Sequence, residues 1–192
     1  MKRTGGQLIY NKLLQHKVKD AFIFSGGSVM SIIDPFYKGE INYYINNHEQ
    51  NCGHAATGYA KLSGKPGICL VTSGPGITNM ITPMLDATND STPLIVISGQ
   101  VPKHAVGTNA FQEAPAVDLS KHVTKWSHQI KSIDEIGNVL DHAFYIAQNG
   151  KKGAVNIDVP KWVSSDVTDK DIGNVINTNV LLTHRISNKY NN

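Results

Sequence analysis

The stretch ICLVTSGPG, residues 68–76, joins a run of apolar residues to a tight turn. Its first four residues, 68–71, are typical of a strand that is buried on both faces of a parallel sheet. The turn leads directly into a helical pattern at residues 77–87. This stretch therefore predicts one strand followed by one helix, the repeating unit of a parallel sheet.

The same alternation of strand and helix extends along the chain on both sides of this stretch. Strand-like apolar runs are predicted at residues 21–24, 41–45, 94–97, 126–130 and 153–159. Helical patterns are predicted at residues 5–18, 29–37, 48–62 and 134–147. Strands that alternate with helices over short connections predict an α/β domain, a parallel sheet flanked by helices on both faces.

Turns rich in glycine follow three of the predicted strands, around Gly26, at residues 74–76 and from Gly99 onward. In a parallel sheet the carboxyl ends of the strands share one edge, and ligands bind among the loops there. Residues 99–115 are long for a simple connection and show no clear period, which indicates a functional loop. The sequence therefore predicts that the function of the chain lies at this edge.

The composition of the 192 residues is that of a folded protein with few charges. Hydrophobic residues make up 40%, which excludes disorder throughout the chain. The net charge of +3 comes from scattered Lys and Arg, which argues against nucleic acid as a partner, and no apolar stretch is long enough to cross a membrane. Since only 17% of the residues are charged, we expect buried surface between chains, in a homodimer or larger oligomer.

The two cysteines, Cys52 and Cys69, form no Cys-x-x-Cys pair and indicate no disulfide framework. Cys69 lies in an apolar run and is interpreted as a small core residue. The first residues show neither a secretory signal nor an amphipathic leader. The simplest expectation is a reducing compartment, the cytoplasm.

The chain becomes more polar after Val163, so we predict one domain at residues 1–163. Residues 164–192 are polar and contain six asparagines in 29 residues. We interpret them as a linker toward a domain that this chain does not contain. A disordered natural tail is the alternative.

The turn at residues 73–76 has part of the Gly-x-Gly-x-x-Gly pattern of dinucleotide-binding proteins. Asn79 stands at the position of the third glycine, so the pattern is weak evidence for a dinucleotide. The two glycines still let a ligand approach the backbone at the start of a helix. A turn without any ligand explains them equally well.

The segment His48-Glu49-Gln50-Asn51-Cys52 differs in its last residue from the zinc pattern His-Glu-x-x-His. Zinc would need Cys52 and a further ligand, for which only His54 is near, so we predict no metal site. Glu49 is more informative, because it opens a helix directly after a strand, at the edge where ligands bind. A carboxyl group in apolar surroundings there can hold or share a proton at neutral pH. The alternative is a solvated acid at a helix N-terminus.

Three segments of the chain carry a resemblance by their order and spacing. They are His48-Glu49-Gln50 with His54-Ala55-Ala56-x-Gly58-Tyr59-Ala60, then Leu70-Val71-Thr72-Ser73-Gly74-Pro75-Gly76-x-Thr78-Asn79, then Pro93-Leu94-x-Val96-Ile97-Ser98-Gly99-Gln100-Val101-Pro102 with Gly107-Thr108-x-Ala110-Phe111-Gln112-Glu113. Together they resemble the N-terminal, pyrimidine-binding domain of thiamine-diphosphate-dependent enzymes. Within that superfamily the chain is most similar to the catalytic subunit of acetolactate synthase. The resemblance covers residues 4–163 and implies the thiamine-diphosphate-binding fold.

The resemblance implies a catalytic role for Glu49. In this family a buried glutamate of the His-Glu-Gln segment hydrogen-bonds to N1′ of the aminopyrimidine of thiamine diphosphate. That bond favours an imino tautomer, whose nitrogen takes the proton from C2 of the thiazolium ring. The cofactor carries the chemistry, and the protein supplies orientation and electrostatics.

The resemblance also assigns further site residues. Those that match cofactor contacts are Ser25, Gly26, Gly27, Pro75, Gly76 and Asn79. Gln112 matches a glutamine near the reaction centre and is the second predicted catalytic residue. Phe111 and Lys161 match residues that line the substrate channel.

The complete enzyme is implied to decarboxylate pyruvate and join the two-carbon unit to a second 2-oxo acid, in branched-chain amino acid biosynthesis. Departures from the family leave the substrate open. Ser25 and Asn47 stand where the family usually has a proline and a basic residue, and Trp162 replaces an acid. The alternatives are another 2-oxo-acid decarboxylase or carboligase, and a stand-alone, non-catalytic module that binds or regulates a partner.

The chain contains no Gly-Asp-Gly segment. In the family that segment, with Asn-Asn downstream, binds the magnesium that holds the diphosphate, in a second cofactor domain. The resemblance therefore implies that this chain supplies only the pyrimidine half of a site and is inactive alone. The diphosphate-binding domain would come from the same full-length protein or from another chain. Magnesium and the family's usual FAD are expected only in the complete enzyme.

Overall fold

A computed structural model describes residues 2–170 and Gly173, and it confirms the α/β class. The strands are β1 (Arg3–Thr4), β2 (Asp20–Ile23), β3 (Asn42–Ile45), β4 (Gly67–Val71), β5 (Leu94–Gln100), β6 (Trp126–Gln129), β7 (Ala154–Pro160) and β8 (Val167–Thr168). The helices are α1 (Gly5–Gln15), α2 (Met30–Ile33), α3 (Glu49–Ser63), α4 (Pro75–Asn79), α5 (Ile81–Asn89), α6 (Ala116–Ser120), α7 (Ile136–Gln148) and α8 (Lys161–Ser165).

Six of the strands form one parallel sheet in the order β3-β2-β4-β5-β7-β6. The chain runs from β2 outward to β3 and then crosses back to place β4 on the other side of β2. The strand order therefore reverses between β2 and β4, and the loops that leave their carboxyl ends diverge. Ligands of open α/β sheets bind in the crevice at such a reversal.

Helices cover both faces of this sheet, as the sequence predicted. Along β4, Ile68 and Leu70 pack on the face that α1, α2 and α7 cover. Cys69 and Val71 pack on the opposite face, against α3, α4 and α5. All four side chains are fully buried, because a central strand of a covered parallel sheet has no side that faces solvent.

Two predicted helices are shorter than their apolar patterns. The helix predicted at residues 29–37 is α2 followed by a 3-10 turn at Asp34–Phe36, since Pro35 has no N–H for an α-helical hydrogen bond. The helix predicted at residues 77–87 is divided at Met80 into α4 and α5. Within residues 2–170 the longest helix, α3, has 15 residues, and no helix there is long and apolar enough to cross a membrane.

The folded part of the chain continues past Val163, where we predicted the end of the domain. Ser164 is fully buried, and its hydroxyl lies 3.2 Å from that of Ser31. The short strand β8 then pairs antiparallel with β1, with Val167 opposite Thr4. Residues 164–168 thus pack on the domain. The rest of the predicted linker, at residues 171, 172 and 174–192, lies outside the described residues, and the linker stays a prediction.

Candidate functional site

The turns after β2 and β4 and the start of α3 lie at the crevice where the strand order reverses. Ser25, Gly26 and Gly27 follow β2, whereas Pro75, Gly76 and Asn79 belong to α4, which follows β4. Direct contacts link these parts of the chain. Gly26 packs against Thr72 on the second turn, and Glu49 at the start of α3 contacts Asn79.

Glu49 is the first residue of α3, and only 6% of its surface is exposed. Its atom Oε2 accepts a hydrogen bond of 2.9 Å from the side-chain amide of Asn79. The first N–H groups of a helix have no partner within the helix and favour a nearby negative charge. Because the carboxylate is buried, Glu49 is not the solvated helix-terminal acid that we kept as the alternative.

The residues just before Glu49 set its position at the edge of the sheet. Ile45, the last residue of β3, pairs with Ile23 of β2, and only three residues separate it from Glu49. His48 caps α3, since its atom Nδ1 accepts the backbone N–H of Gln50 at 3.1 Å. The helix therefore begins directly at the carboxyl end of the edge strand.

Two polar residues to which the sequence assigned no role connect the turns after β2 and β4. The hydroxyl of Ser28 lies 2.9 Å from that of Thr72, and its Oγ accepts the backbone N–H of Ser73 at 2.9 Å. A Cβ on Gly26 would lie 2.4 Å from the Cβ of Thr72, so only glycine allows this approach. A Cβ on Gly27 would have no atom within 4 Å, which places open space beside it.

Gln112 lies over the turn that precedes α4. The Cα and the carbonyl oxygen of Gln112 are each 2.8 Å from where a Cβ on Gly74 would be. Both residues have positive φ angles, +59° for Gln112 and +58° for Gly74. This conformation is uncommon for a residue other than glycine and often marks a functional site. The structure thus places Gln112 against the turn that carries Pro75 and Gly76.

The two predicted substrate-channel residues are both exposed. Phe111 precedes Gln112 and has 89% of its surface exposed. Lys161 is the first residue of α8, directly after β7. In the described part of the chain no hydrogen bond or ion pair joins either side chain to Glu49. Their proposed role therefore depends on the resemblance alone.

A buried carboxylate that we did not predict lies near the carboxyl end of β7. Asp158 is 1% exposed and accepts hydrogen bonds from the amides of Gln129 (2.7 Å) and Gln100 (3.3 Å) and the hydroxyl of Ser98 (3.3 Å). Burial raises the pKa of Asp158 to about 6, although these hydrogen bonds act in the opposite direction. With both glutamines it lines a cavity of about 440 Å³. An acidic residue in a largely apolar strand was the signal that could have identified it.

In the structure, the residues that were considered as zinc ligands lie in other surroundings. Cys52 is fully buried, and burial raises the pKa of its thiol to about 11. His54 instead lies 3.7 Å from Asp86. Over residues 2–170 no group of three or more His, Cys, Asp or Glu side chains is placed to hold a metal ion.

The chain matches known proteins over most of its length. The family model "Thiamine pyrophosphate enzyme, N-terminal TPP binding domain" matches residues 3–121. The chain is 43% identical to the mitochondrial acetolactate synthase of Schizosaccharomyces pombe over 171 residues, 88% of the chain and 26% of that protein. It is 42% identical to the mitochondrial acetolactate synthase catalytic subunit of Saccharomyces cerevisiae over 187 residues, 97% of the chain and 27% of that protein. For the acetolactate synthase of Mycobacterium leprae the identity is 44% over 161 residues, 83% of the chain and 26% of that protein. The chain thus spans about a quarter of the length of these relatives.

Proposed function

Because this chain belongs to the thiamine pyrophosphate enzyme family, as the N-terminal TPP-binding domain of an acetolactate-synthase-like enzyme, we propose that Glu49 activates thiamine diphosphate in that enzyme. The observation that carries the proposal is the burial of Glu49 beside Asn79, at the crevice where the strand order reverses. A buried carboxylate at this place is suited to hold a ring nitrogen and to exchange a proton with it.

The residues at the crevice fit the pyrimidine half of the cofactor. The side-chain amide of Asn79 donates a hydrogen bond to Oε2 of Glu49. Among residues 2–170, Oε1 has no hydrogen-bond partner, and solvent can reach it. One carboxylate oxygen therefore remains for a donor or protonated nitrogen of a ligand. The space beside Gly27 lets a flat ring approach the backbone closely.

Each residue has a separate part in this proposal. Glu49 holds and moves the proton at N1′ of the aminopyrimidine, and Asn79 fixes the orientation of its carboxylate. Gly26 and Gly27, with Ser25 before them, would border the reactive end of the cofactor, while Pro75 and Gly76 would contact the pyrimidine. Gln112 would lie near the reaction centre. When bound, thiamine diphosphate supplies a nucleophilic carbon, C2 of its thiazolium ring, for attack on the carbonyl group of a 2-oxo acid.

We further propose that the chain supplies half of a cofactor site. The diphosphate would be held through magnesium by a second domain, from the same full-length protein or from another chain, in a homodimer or larger oligomer. FAD would bind mainly outside this domain, and Phe111 and Lys161 would line the path of the substrate. The complete enzyme would decarboxylate pyruvate and transfer the two-carbon unit to a second 2-oxo acid, in branched-chain amino acid biosynthesis.

Activity measurements with the isolated chain and the complete enzyme test this proposal. We expect no acetolactate from pyruvate with residues 1–192 alone, and acetolactate when they are joined to or mixed with the diphosphate-binding domain. In that enzyme Glu49→Gln should abolish turnover, whereas Glu40→Gln, at an exposed glutamate, should not alter it. Acetolactate formation by the isolated chain would refute the half-site proposal. Full turnover by Glu49→Gln would refute the role of Glu49.

A further inference from the structure

The loop at residues 107–113 folds around the side chain of Glu113. Its carboxylate accepts the backbone N–H of Gly107 at one oxygen and that of Ala110, at 3.2 Å, at the other. The backbone N–H of Glu113 also donates to the carbonyl oxygen of Ala110 at 2.9 Å. The carboxylate thereby links Gly107, at the start of this segment, to Glu113 at its end.

The electrostatics of this arrangement favour the ionised carboxylate. Backbone N–H groups, that of Gly107 foremost and then those of Ala110, Asn109 and Thr108, hold the pKa of Glu113 below its ordinary value of 4.5. Hydrogen bonds to a charged acceptor are shorter and stronger than those between neutral groups. The Glu113 side chain is therefore a charged anchor for the loop at neutral pH.

The backbone that Glu113 holds includes three residues with positive φ angles. Gly107, Asn109 and Gln112 have φ angles of +81°, +57° and +59°. Asn109 and Gln112 carry side chains, and the left-handed region is tolerated by asparagine but uncommon for glutamine. Since the two side-chain-bearing residues lie within four positions of Glu113, the hydrogen bonds of its carboxylate offset the local cost.

A series of contacts leads from this loop to the candidate site. Gln112 is the neighbour of Glu113, and its backbone packs directly against Gly74. Gly74 immediately precedes α4, and α4 carries the Asn79 amide that binds Glu49. The conformation of the loop thus determines where Gln112 lies relative to the turn before α4.

We propose that Glu113 is a positioning residue that holds Gln112 against Gly74 by binding the backbone N–H groups of Gly107 and Ala110. The part of Gln112 in the reaction rests on the proposed function, but the positioning does not. Glu113→Gln keeps the size of the side chain. It removes the charge and replaces one acceptor by an NH₂ group, which cannot accept an N–H.

Amide hydrogen exchange and proton–proton contacts in the 192-residue chain, both measured by NMR, test the proposal. In Glu113→Gln we expect the N–H group that faces the new NH₂, that of Gly107 or that of Ala110, to exchange about tenfold faster. We also expect the contact between the α-protons of Gln112 and Gly74 to be lost. The matched control is Asp118→Asn, an exposed acid that pairs with Lys121 and should change neither readout.

Two outcomes would overturn the proposal. Unchanged exchange of Gly107 and Ala110 would show that the carboxylate does not hold the loop. Faster exchange with the contact between Gln112 and Gly74 intact would show that Glu113 orders its own turn without positioning Gln112. Exchange at the core amides shows whether the variant folds. Because neither readout uses a cofactor, the positioning by Glu113 and the proposed binding of thiamine diphosphate can fail separately.

Discussion

The side-chain amide of Asn79 donates a hydrogen bond of 2.9 Å to the buried carboxylate of Glu49, across 30 positions of sequence. Each residue comes from a different strand–helix unit, α3 after β3 and α4 after β4. The pair therefore forms only where the strand order of the sheet reverses. It joins the acid that we propose as catalytic to the helix that follows the glycine-rich turn.

The first prediction concerns the stability that this pair contributes. Asn79→Ala should lower the free energy of unfolding by about 1.5–3 kcal/mol, because a buried carboxylate loses its hydrogen-bond donor. In a Glu49→Met background the same substitution should cost much less, since no charge remains to be satisfied. Urea unfolding of the four proteins measures the coupling. Equal costs in both backgrounds would show that the two side chains do not interact.

The second prediction separates the two neighbouring glycines after β2. Gly26→Ala should destabilise the chain by about 1–3 kcal/mol, since the new methyl group forces Thr72 away from Ser28. Gly27→Ala is the matched control and should leave stability nearly unchanged, because nothing lies within 4 Å of its Cβ. Thermal unfolding followed by circular dichroism measures both. A similar loss in the two variants would contradict the packing described for the first turn.

The third prediction is a pH dependence that Asp158 causes. Its pKa is about 6 in the folded chain against an ordinary 3.8, so between these values the folded state binds a proton that the unfolded state releases. Its contribution to stability is therefore fully present below pH 3.8 and is lost as the pH rises through 6. Relative to Asp158→Asn, the wild type should gain roughly 2 kcal/mol between pH 8 and pH 4.5.

Urea unfolding of wild type and Asp158→Asn at a series of pH values checks this result. Taking the difference between the two proteins removes the contribution of His16, whose pKa is lowered, mainly by burial, and which acts in the opposite direction. A difference that does not vary with pH would show that Asp158 titrates normally.

The fold could be predicted because its signals are local. The run at residues 68–71 is apolar throughout, since both faces of β4 are buried, and the glycines that follow allow a tight turn. The ends of the helices and strands were harder to predict from the sequence. Pro35 stops an α-helix that the apolar pattern would continue, and β8 exists only because distant Thr4 pairs with Val167.

The candidate site was predictable in part for a similar reason. Glu49 is marked by its place between a strand and a helix, and the resemblance assigned Asn79 and Gln112. The sequence assigned no role to Ser28 and Thr72, because a serine and a threonine in a turn usually face solvent. Their importance arises from one contact between segments 44 positions apart, which no local pattern encodes.

The rate of hydrogen–deuterium exchange at C2 of thiamine diphosphate in the complete enzyme tests the proposed role of Glu49. The measurement compares the wild type with Glu49→Gln, after circular dichroism has shown that the fold is intact. If Glu49 moves the proton at N1′, the exchange should slow by about 10²–10⁴-fold in the variant. Exchange at a near-normal rate in Glu49→Gln would show that Glu49 does not activate the cofactor.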